Sequence, residues 1–470
     1  MKPISESAYT SSAEDGLPQP QRNKAMLVLM LALTMATLDT AIANVALPTI
    51  AAYLHTSEAS SIWVVNSYQL AMVAALLPLA SLGEIVGLRR IFVGGLVLFT
   101  VSSAACGLAD TLPVLAAARI FQGLGAAAVM SVNAALIRFI YPSRLLGRAL
   151  GLNALIVALG FAVGPTLASA ILAVASWKWL FLINVPIGLG AMWLARRSLP
   201  ATPMSKHAYD RLAALLSAGL FLFFVLGFIE VAHGAAWQRV TVEWAIAAVC
   251  GYFLVRRQSG HPAPILPLDL FKRPVFTLSV LTSICSFAAQ GLAFVALPFM
   301  FSGLLGGSET NAGFLMTPWP VMVGAMAPFA GKLADRFSTG LLGFVGLAGL
   351  AIGMGLLAML PAHASVLDIS WRMAICGAGF GFFQSPNLKA LMASAPPHRS
   401  GGASGMISTS RLLGQSMGAA LVATCFNLSV SNGATLALWL GSGFAAVAGL
   451  TSVMRVFGPK QTGTHAAPAR

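Results

Sequence analysis

Apolar runs of about the 20 residues that a bilayer-spanning helix needs recur along the whole chain, separated by short polar loops. Their limits predict fourteen helices, over 25–47, 62–82, 91–109, 113–140, 148–174, 178–196, 212–232, 241–256, 275–301, 310–330, 340–360, 370–392, 404–428 and 435–455. The first 23 residues, a mixture of Ser, Pro, Gln and charges, lack the apolar core of a cleavable signal. They and residues 457–470 read as disordered tails. Composition agrees with a chain solvated by lipid: 57% of the 470 residues are hydrophobic, 9% are charged and the mean hydropathy is +0.82. A soluble protein carries roughly 25% charged residues. The expected fold class is all-α integral membrane.

A repeat organises the runs. "NVALP" at 44–48 returns as "FVALP" at 294–298, and Glu84, just past the second run, returns as Asp335 just past the tenth. Gly147, Gly151, Gly160 and Gly164 return as Gly401, Gly405, Gly414 and Gly418, all offset by 254 residues. Runs 1–6 and 9–14 are therefore parallel copies, and runs 7–8 an inserted hairpin. This divides the chain into a tail (1–23), a first six-helix bundle (24–197), a linker with the hairpin (198–274), a second bundle (275–456) and a tail (457–470). Two such halves with a site between them near the midplane are the layout of an alternating-access transporter.

The net charge of +14 raises the question of nucleic acid, but its distribution answers it. With both termini placed in the cytoplasm, only Lys178, Arg239 and Arg372 fall on the outer side, and only Arg119 and Arg411 deep inside helices. All other Lys and Arg lie in inner loops, in tails or at the inner ends of the runs, as the positive-inside rule requires. No nucleic acid is expected. Five scattered cysteines without a CxxC pair and seven histidines without ligand spacing exclude a disulfide framework and a metal site. No Walker A sequence provides for ATP. No nucleophile–base–orienter set points to an enzyme.

Several stretches resemble one family. "LDTAIANVALP" (38–48), "LGEIVGLRR" (82–90), "RIFQGLGAA" (119–127), "GFAVGPTLAS" (160–169), "WKWLFLINVPIG" (177–188) and "SRLLGQSMG" (410–418) are similar to motifs of the major facilitator superfamily, in particular its fourteen-span drug:proton antiporters of the EmrB/QacA type. Glu84 stands where the loop motif usually has Asp, Ala80 replaces its leading Gly, and Ala168 and Ser169 replace a Gly pair. The resemblance implies two six-helix bundles plus the hairpin. It also implies transport driven by a proton gradient without a cofactor, and a small-molecule substrate exchanged for protons in an inner membrane. A periplasmic adaptor is left open.

The motifs also have physical readings. Gly147 and Gly151, then Gly160 and Gly164, make two GxxxG steps that let helices approach closely. At about 100° per residue the two pairs lie on nearly opposite faces. The fifth helix, bent at Pro165, then presses one neighbour near the cytoplasm and another further out, and can rock to seal the cavity. Its second copy has Ala419 where Pro165 stood. Glu84, Gly87, Arg89 and Arg90, with Asp335 and Arg336 in the second copy, read as a conformational latch at the membrane edge.

An ionised side chain at bilayer depth costs at least about 2.5–3.5 kcal/mol on insertion scales, so Asp39 needs a partner. Taking the first helix to end near Leu47, Asp39 lies about 12 Å in at 1.5 Å per residue, and Arg119 about 9 Å in. They are the buried acid and base of the first bundle, and are expected to communicate across the cavity and carry proton coupling. Arg411 has Val157 as its repeat counterpart, so a backbone or gate contact is expected rather than a substrate contact. Glu230 and Glu243 read as interfacial. The cavity itself should be mostly apolar, with Asn44, Asn66, Gln69, Phe161, Gln290, Phe294, Trp319, Phe383 and Asn387 as candidate lining. Since Asp39 is the one acid there, lipophilic monocations or neutral compounds are the expected substrates. A narrow-range metabolite or antibiotic exporter is the nearest alternative. A non-transporting receptor would have no use for a protonatable cavity.

Overall fold

The computed structural model describes residues 16–457 except 57, 62, 206–207, 233, 260–263, 305–314, 362–363 and 430–431. The side chains of a few helical residues, among them Asn44, Phe161 and Pro165, also lie outside the described set, as do most of both predicted tails and the start of the tenth predicted run. Among the described residues fourteen long helices follow one another: α1 (Gln21–Tyr53), α2 (Trp63–Val86), α3 (Leu88–Gly107), α4 (Leu112–Ile140), α5 (Leu146–Val174), α6 (Asn184–Ser198), α7 (Arg211–Ala232), α8 (Trp237–Gln258), α9 (Pro274–Leu304), α10 (Pro318–Ala334), α11 (Thr339–Ala358), α12 (Val366–Ser394), α13 (Ser400–Leu428) and α14 (Gly433–Phe457). A short turn, Trp179–Leu182, leads into α6. Among the described residues, nine segments are long and apolar enough to cross a membrane. Helices dominate because in hydrocarbon each segment must satisfy its own backbone. Several limits depart from expectation, among them the start of α6 at Asn184 rather than 178 and the end of α10 at Ala334 rather than 330. α1 starts at Gln21 and runs through Pro48 to Tyr53 rather than stopping near Leu47, and α8 is 22 residues long rather than short.

The packing obeys the repeat. Within the first half α4 packs on α2 and α3, α1 on α5 and α6, and α3 on α6. Within the second, α12 packs on α10 and α11, α9 on α13 and α14, and α11 on α14. The halves meet through α5 on α10 and α12, and through α13 on α2 and α4. The inserted pair packs on itself, with α7 also lying against α2 and α13. The bundle end holding the start of α1, the α2–α3 turn and the end of α14 carries most of the loop arginines and lysines, and is here the basic end.

The glycine steps of α5 do face two neighbours. A side chain at Gly147 or Gly151 would fall 2.6 Å from the Gly331 carbonyl or 2.7 Å from the Ala327 carbonyl of α10. One at Gly160 would strike Thr37 of α1. In α13, Gly401 and Gly405 lie against Ala80 of α2, and Gly414 and Gly418 against Ile284 and Ala288 of α9. The first pair of each helix thus seals the halves together near the basic end, and Gly160, Gly414 and Gly418 hold their helices to their own bundles. Gly87 is needed for another reason. Its φ of 105° lets α3 start with a single residue between it and the end of α2, a conformation that side chains oppose.

Candidate functional site

Asp39 and Arg119 meet directly. Arg119 Nη1 contacts Asp39 Oδ2, and the two side chains are 1% and 0% exposed respectively for the acid and the base. Gln122, one helical turn after Arg119, closes a ring: its Oε1 accepts from Arg119 Nη1 at 2.7 Å and its Nε2 donates to Asp39 Oδ1 at 2.8 Å. The same Nε2 donates to Ser103 Oγ at 2.8 Å, and Asn184 Nδ2 lies 3.4 Å from Asp39 Oδ1. Arg119 Nε donates to the Val64 carbonyl at 2.9 Å, and its guanidinium lies over the Tyr68 ring, 4.2 Å from the centroid. Both carboxylate oxygens therefore accept hydrogen bonds. The two residues paired by depth in the sequence are in contact here, more tightly than depth alone suggests. Gln122, Ser103, Asn184 and Tyr68 are not picked out by the sequence. Only Gln122 leaves a trace there, three residues from Arg119 and so on the same helix face.

The second cluster joins the halves at the basic end, and its partners differ from those expected. Arg89 and Arg90 do not hold Glu84: they donate to the carbonyls of Arg196 at 2.7 Å and Val86 at 3.1 Å. Glu84 crosses to the other half. Its Oε2 accepts from Arg399 Nη1 at 2.6 Å and its Oε1 from the Gly402 backbone N–H at 2.7 Å, with the side chain 5% exposed. Arg399 also donates to both oxygens of Asp269, at 2.8 and 3.0 Å, and to the Pro264 carbonyl at 2.7 Å. Burial works against the Arg399 guanidinium, but Asp269 and Glu84 outweigh it and raise its pKa above the ordinary value. Asp335 mirrors Glu84: its Oδ1 accepts from the Gly147 backbone N–H at 3.1 Å and from Lys389 Nζ at 2.7 Å. Arg336 is exposed and takes no part among the described contacts. Each loop acid thus sits over the N-terminal N–H groups of the opposite half's α5 or α13, where the helix dipole favours negative charge. Arg138 adds a further clasp, donating to the carbonyls of Met392 and Ala395 at 2.9 and 2.6 Å.

Between the halves, at the depth where Arg411 reaches Met130, lies a cavity of about 30 Å³, room for little more than a water. Gln290, Phe294, Trp319, Gln384, Arg411 and Gln415 line it from the second half, and Val157 of α5 from the first. Gln415 Nε2 donates to Gln290 Oε1 at 3.2 Å, and the Phe294 and Trp319 rings meet edge-on with centroids 5.3 Å apart. Arg411 lines this cavity, and of the expected backbone or gate contact it makes one across the halves, to the Met130 sulfur at 3.6 Å, rather than one to a carbonyl. Of the expected lining residues, Gln290, Phe294 and Trp319 are found at this cavity. Asn387 is elsewhere: its Oδ1 accepts from the buried Arg455 at 2.7 Å and its Nδ2 donates to Ser283 Oγ at 2.8 Å. Phe383 is core, packed on Phe380. Asn66 and Gln69 are half-buried on α2 and do not reach this cavity. The side chains of Asn44 and Phe161 lie outside the described residues. Glu230 and Glu243 share Arg239, at 2.8 and 3.5 Å.

Comparison with known proteins places this architecture. The chain is 50% identical over 448 residues to the uncharacterized transporter YebQ of Escherichia coli (strain K12), covering 95% of this chain and 98% of that one. It is 30% identical to the drug efflux pump JefA of Mycobacterium tuberculosis (strain CDC 1551 / Oshkosh), covering 90% and 82%, and 29% identical to the riboflavin transporter RibZ of Clostridioides difficile (strain 630), covering 86% and 88%. The structure of the proton:xylose symporter XylE superposes with a TM-score of 0.67 at 17% identity, covering 93% of this chain and 96% of that one. The family model of the Major Facilitator Superfamily matches residues 29–419. With its two repeated helical bundles meeting around a mid-depth cavity, the chain belongs to this superfamily of membrane transporters.

Proposed function

We propose that this protein is a proton-coupled exporter of hydrophobic small molecules, a fourteen-span antiporter of the drug:proton type working by alternating access. The observation that carries the reading is the ring of Asp39, Arg119 and Gln122, a carboxylate kept at bilayer depth with its charge fully partnered. Protonation of Asp39 in another conformer would release Arg119 and Gln122, and so link a proton to the position of α1 against α4. The conformer described here is sealed at the basic end by Glu84–Arg399 and Asp335–Gly147. Taking that end as cytoplasmic by the positive-inside rule, the protein sits in an inner membrane with both termini inside.

The direct test is transport in proteoliposomes carrying an imposed pH gradient, with the neutral dye N-phenyl-1-naphthylamine as probe. Accumulation against its gradient that collapses on adding an uncoupler is the expected result. Movement of equal rate and extent with and without the gradient would remove proton coupling. Orientation is tested separately: a reporter fused at residue 470 is expected to be active only in the cytoplasm, and activity on the outer side would break the fourteen-span arrangement. The second reading, a narrow-range metabolite exporter, is favoured by the likeness to a relative named as a riboflavin transporter. Saturation by a single compound, with no competition from unrelated dyes, would select it.

A further inference from the structure

We propose that the cavity between the halves takes an aromatic anion, its negative group received by Arg411 and by the indole N–H of Trp319. This rests on the reading of that cavity as the transport site and names the chemistry it selects.

Two donors there lack a proper acceptor. Arg411 has no carboxylate partner in any ion pair among the described residues, and its contact is a neutral thioether, the Met130 sulfur. The buried guanidinia are treated differently: Arg119 has Asp39 and Arg399 has Glu84 and Asp269. Arg455, also without an acid, is surrounded by neutral acceptors in Ser279, Asn387 and Ser452. The second donor is Trp319. It is 0% exposed, and its Nε1–H finds no acceptor among the described residues. Buried polar groups are almost always hydrogen-bonded, and an indole N–H or guanidinium can only donate. Both residues line the same cavity, so what that cavity lacks is an acceptor, preferably charged.

The charge balance points the same way. Asp39, the acid that suggested a cationic substrate, is neutralised by Arg119, which leaves Arg411 as an uncompensated positive charge facing the cavity. The surrounding groups complete a ligand shape. Phe294 and Trp319 form an aromatic corner, Phe287 and Phe380, which also line the cavity, meet edge-on, and the amides of Gln290, Gln384 and Gln415 offer polar contacts. A flat aromatic body with a carboxylate or sulfonate would fill these roles together. The present cavity is too small for it, so loading accompanies separation of Val157 on α5 from the second half. The guanidinium's planar fork donates to such a group bidentately, which an ammonium would not.

The test compares two dyes that differ by one charged group. Full-length protein in nanodiscs of zwitterionic lipid is titrated with 8-anilino-1-naphthalenesulfonate and with its neutral parent N-phenyl-1-naphthylamine, reading saturable quenching of tryptophan emission against empty nanodiscs. The wild type is expected to bind the sulfonate about tenfold or more tightly than the parent. Arg411→Gln should lose that preference while keeping affinity for the parent within about twofold, and Arg411→Lys should keep part of it. Because Trp319 is itself a reporter, Trp319→Phe is read by competition with unlabelled dye, and should weaken the sulfonate selectively. The exposed control Arg239→Gln should change neither. Equal loss of both dyes in Arg411→Gln, no loss of either, or tighter binding of a cationic dye such as ethidium would overturn the assignment. Because this binding needs no gradient, it separates from the proposed transport reading. An anion preference without pH-driven movement would sink only the coupling, and pH-driven movement without anion preference would sink only this site.

Discussion

Asp39→Asn is expected to reduce pH-gradient-driven accumulation to the level of empty liposomes. The side chain keeps its size and can still accept from Gln122, but it cannot take up or release a proton. The geometry adds a second effect that the sequence does not show. Asparagine leaves Arg119 buried without a counter-charge, and breaking a buried pair from one side costs about 3–5 kcal/mol. A guanidinium cannot escape this by losing its proton, so the variant should also melt at a lower temperature than wild type. The double variant Asp39→Asn with Arg119→Gln removes both charges and is expected to recover most of the lost thermal stability, measured in nanodiscs, while remaining inactive in proteoliposomes. Recovery of gradient-driven transport in the double variant would make Asp39 and Arg119 a structural pair only.

Arg399→Ala is expected to open the basic end. It strips Glu84 of its cation and leaves the buried carboxylate with the Gly402 N–H alone. Asp269 loses its partner at the same time. A penalty of about 3–5 kcal/mol falls on the closed conformer, because Glu84 and Arg399 belong to different halves and can be rehydrated when these part. A shift of about 5.5 kcal/mol turns a population ratio of 1:99 into 99:1, so most of the molecules should change state. Ser408 is the reporter, since its hydroxyl donates to the Met130 carbonyl across the halves at 3.3 Å. In a background with the five native cysteines replaced, a Ser408→Cys probe should react with a water-soluble maleimide at least about tenfold faster when Arg399→Ala is present. Arg399→Lys should give an intermediate rate, and Arg90→Ala, whose guanidinium reaches only the Val86 carbonyl and the Met204 sulfur, none of the increase. Equal reactivity in Arg399→Ala and wild type would show that the cross-half pair does not hold this end shut.

What the sequence determined by itself follows from the cost of polar groups in lipid. Each span must bond its own backbone, so apolar run length predicts helices, and fourteen long helices occur close to the predicted limits. A parallel duplication leaves the same offset at every glycine, and those glycines do seat the helices that the repeat equates. Asp39 and Arg119 were legible as partners because two unmatched charges inside one bundle leave few arrangements. A helix's fixed rise sets their depth even though α1 runs on past Leu47 to Tyr53.

Only the tertiary structure decided the rest. Glu84 meets Arg399 across 315 positions, while Arg89 and Arg90, close by in the chain, point elsewhere. Pairing at the basic end depends on how the two halves approach, and that carries no local sequence signal. Ser103 and Asn184 were silent, and Gln122 nearly so, because neutral amides and hydroxyls at helix depth cost too little to demand an explanation until a carboxylate is found among them. Asn387 looked like cavity lining and is bound to Arg455 instead, because the rotation of α12 about its axis, set by close packing on α9, α10 and α11, chooses which of its faces meets which neighbour. The same kind of rotation on α13 leaves Arg411 facing the space between the halves without an acid.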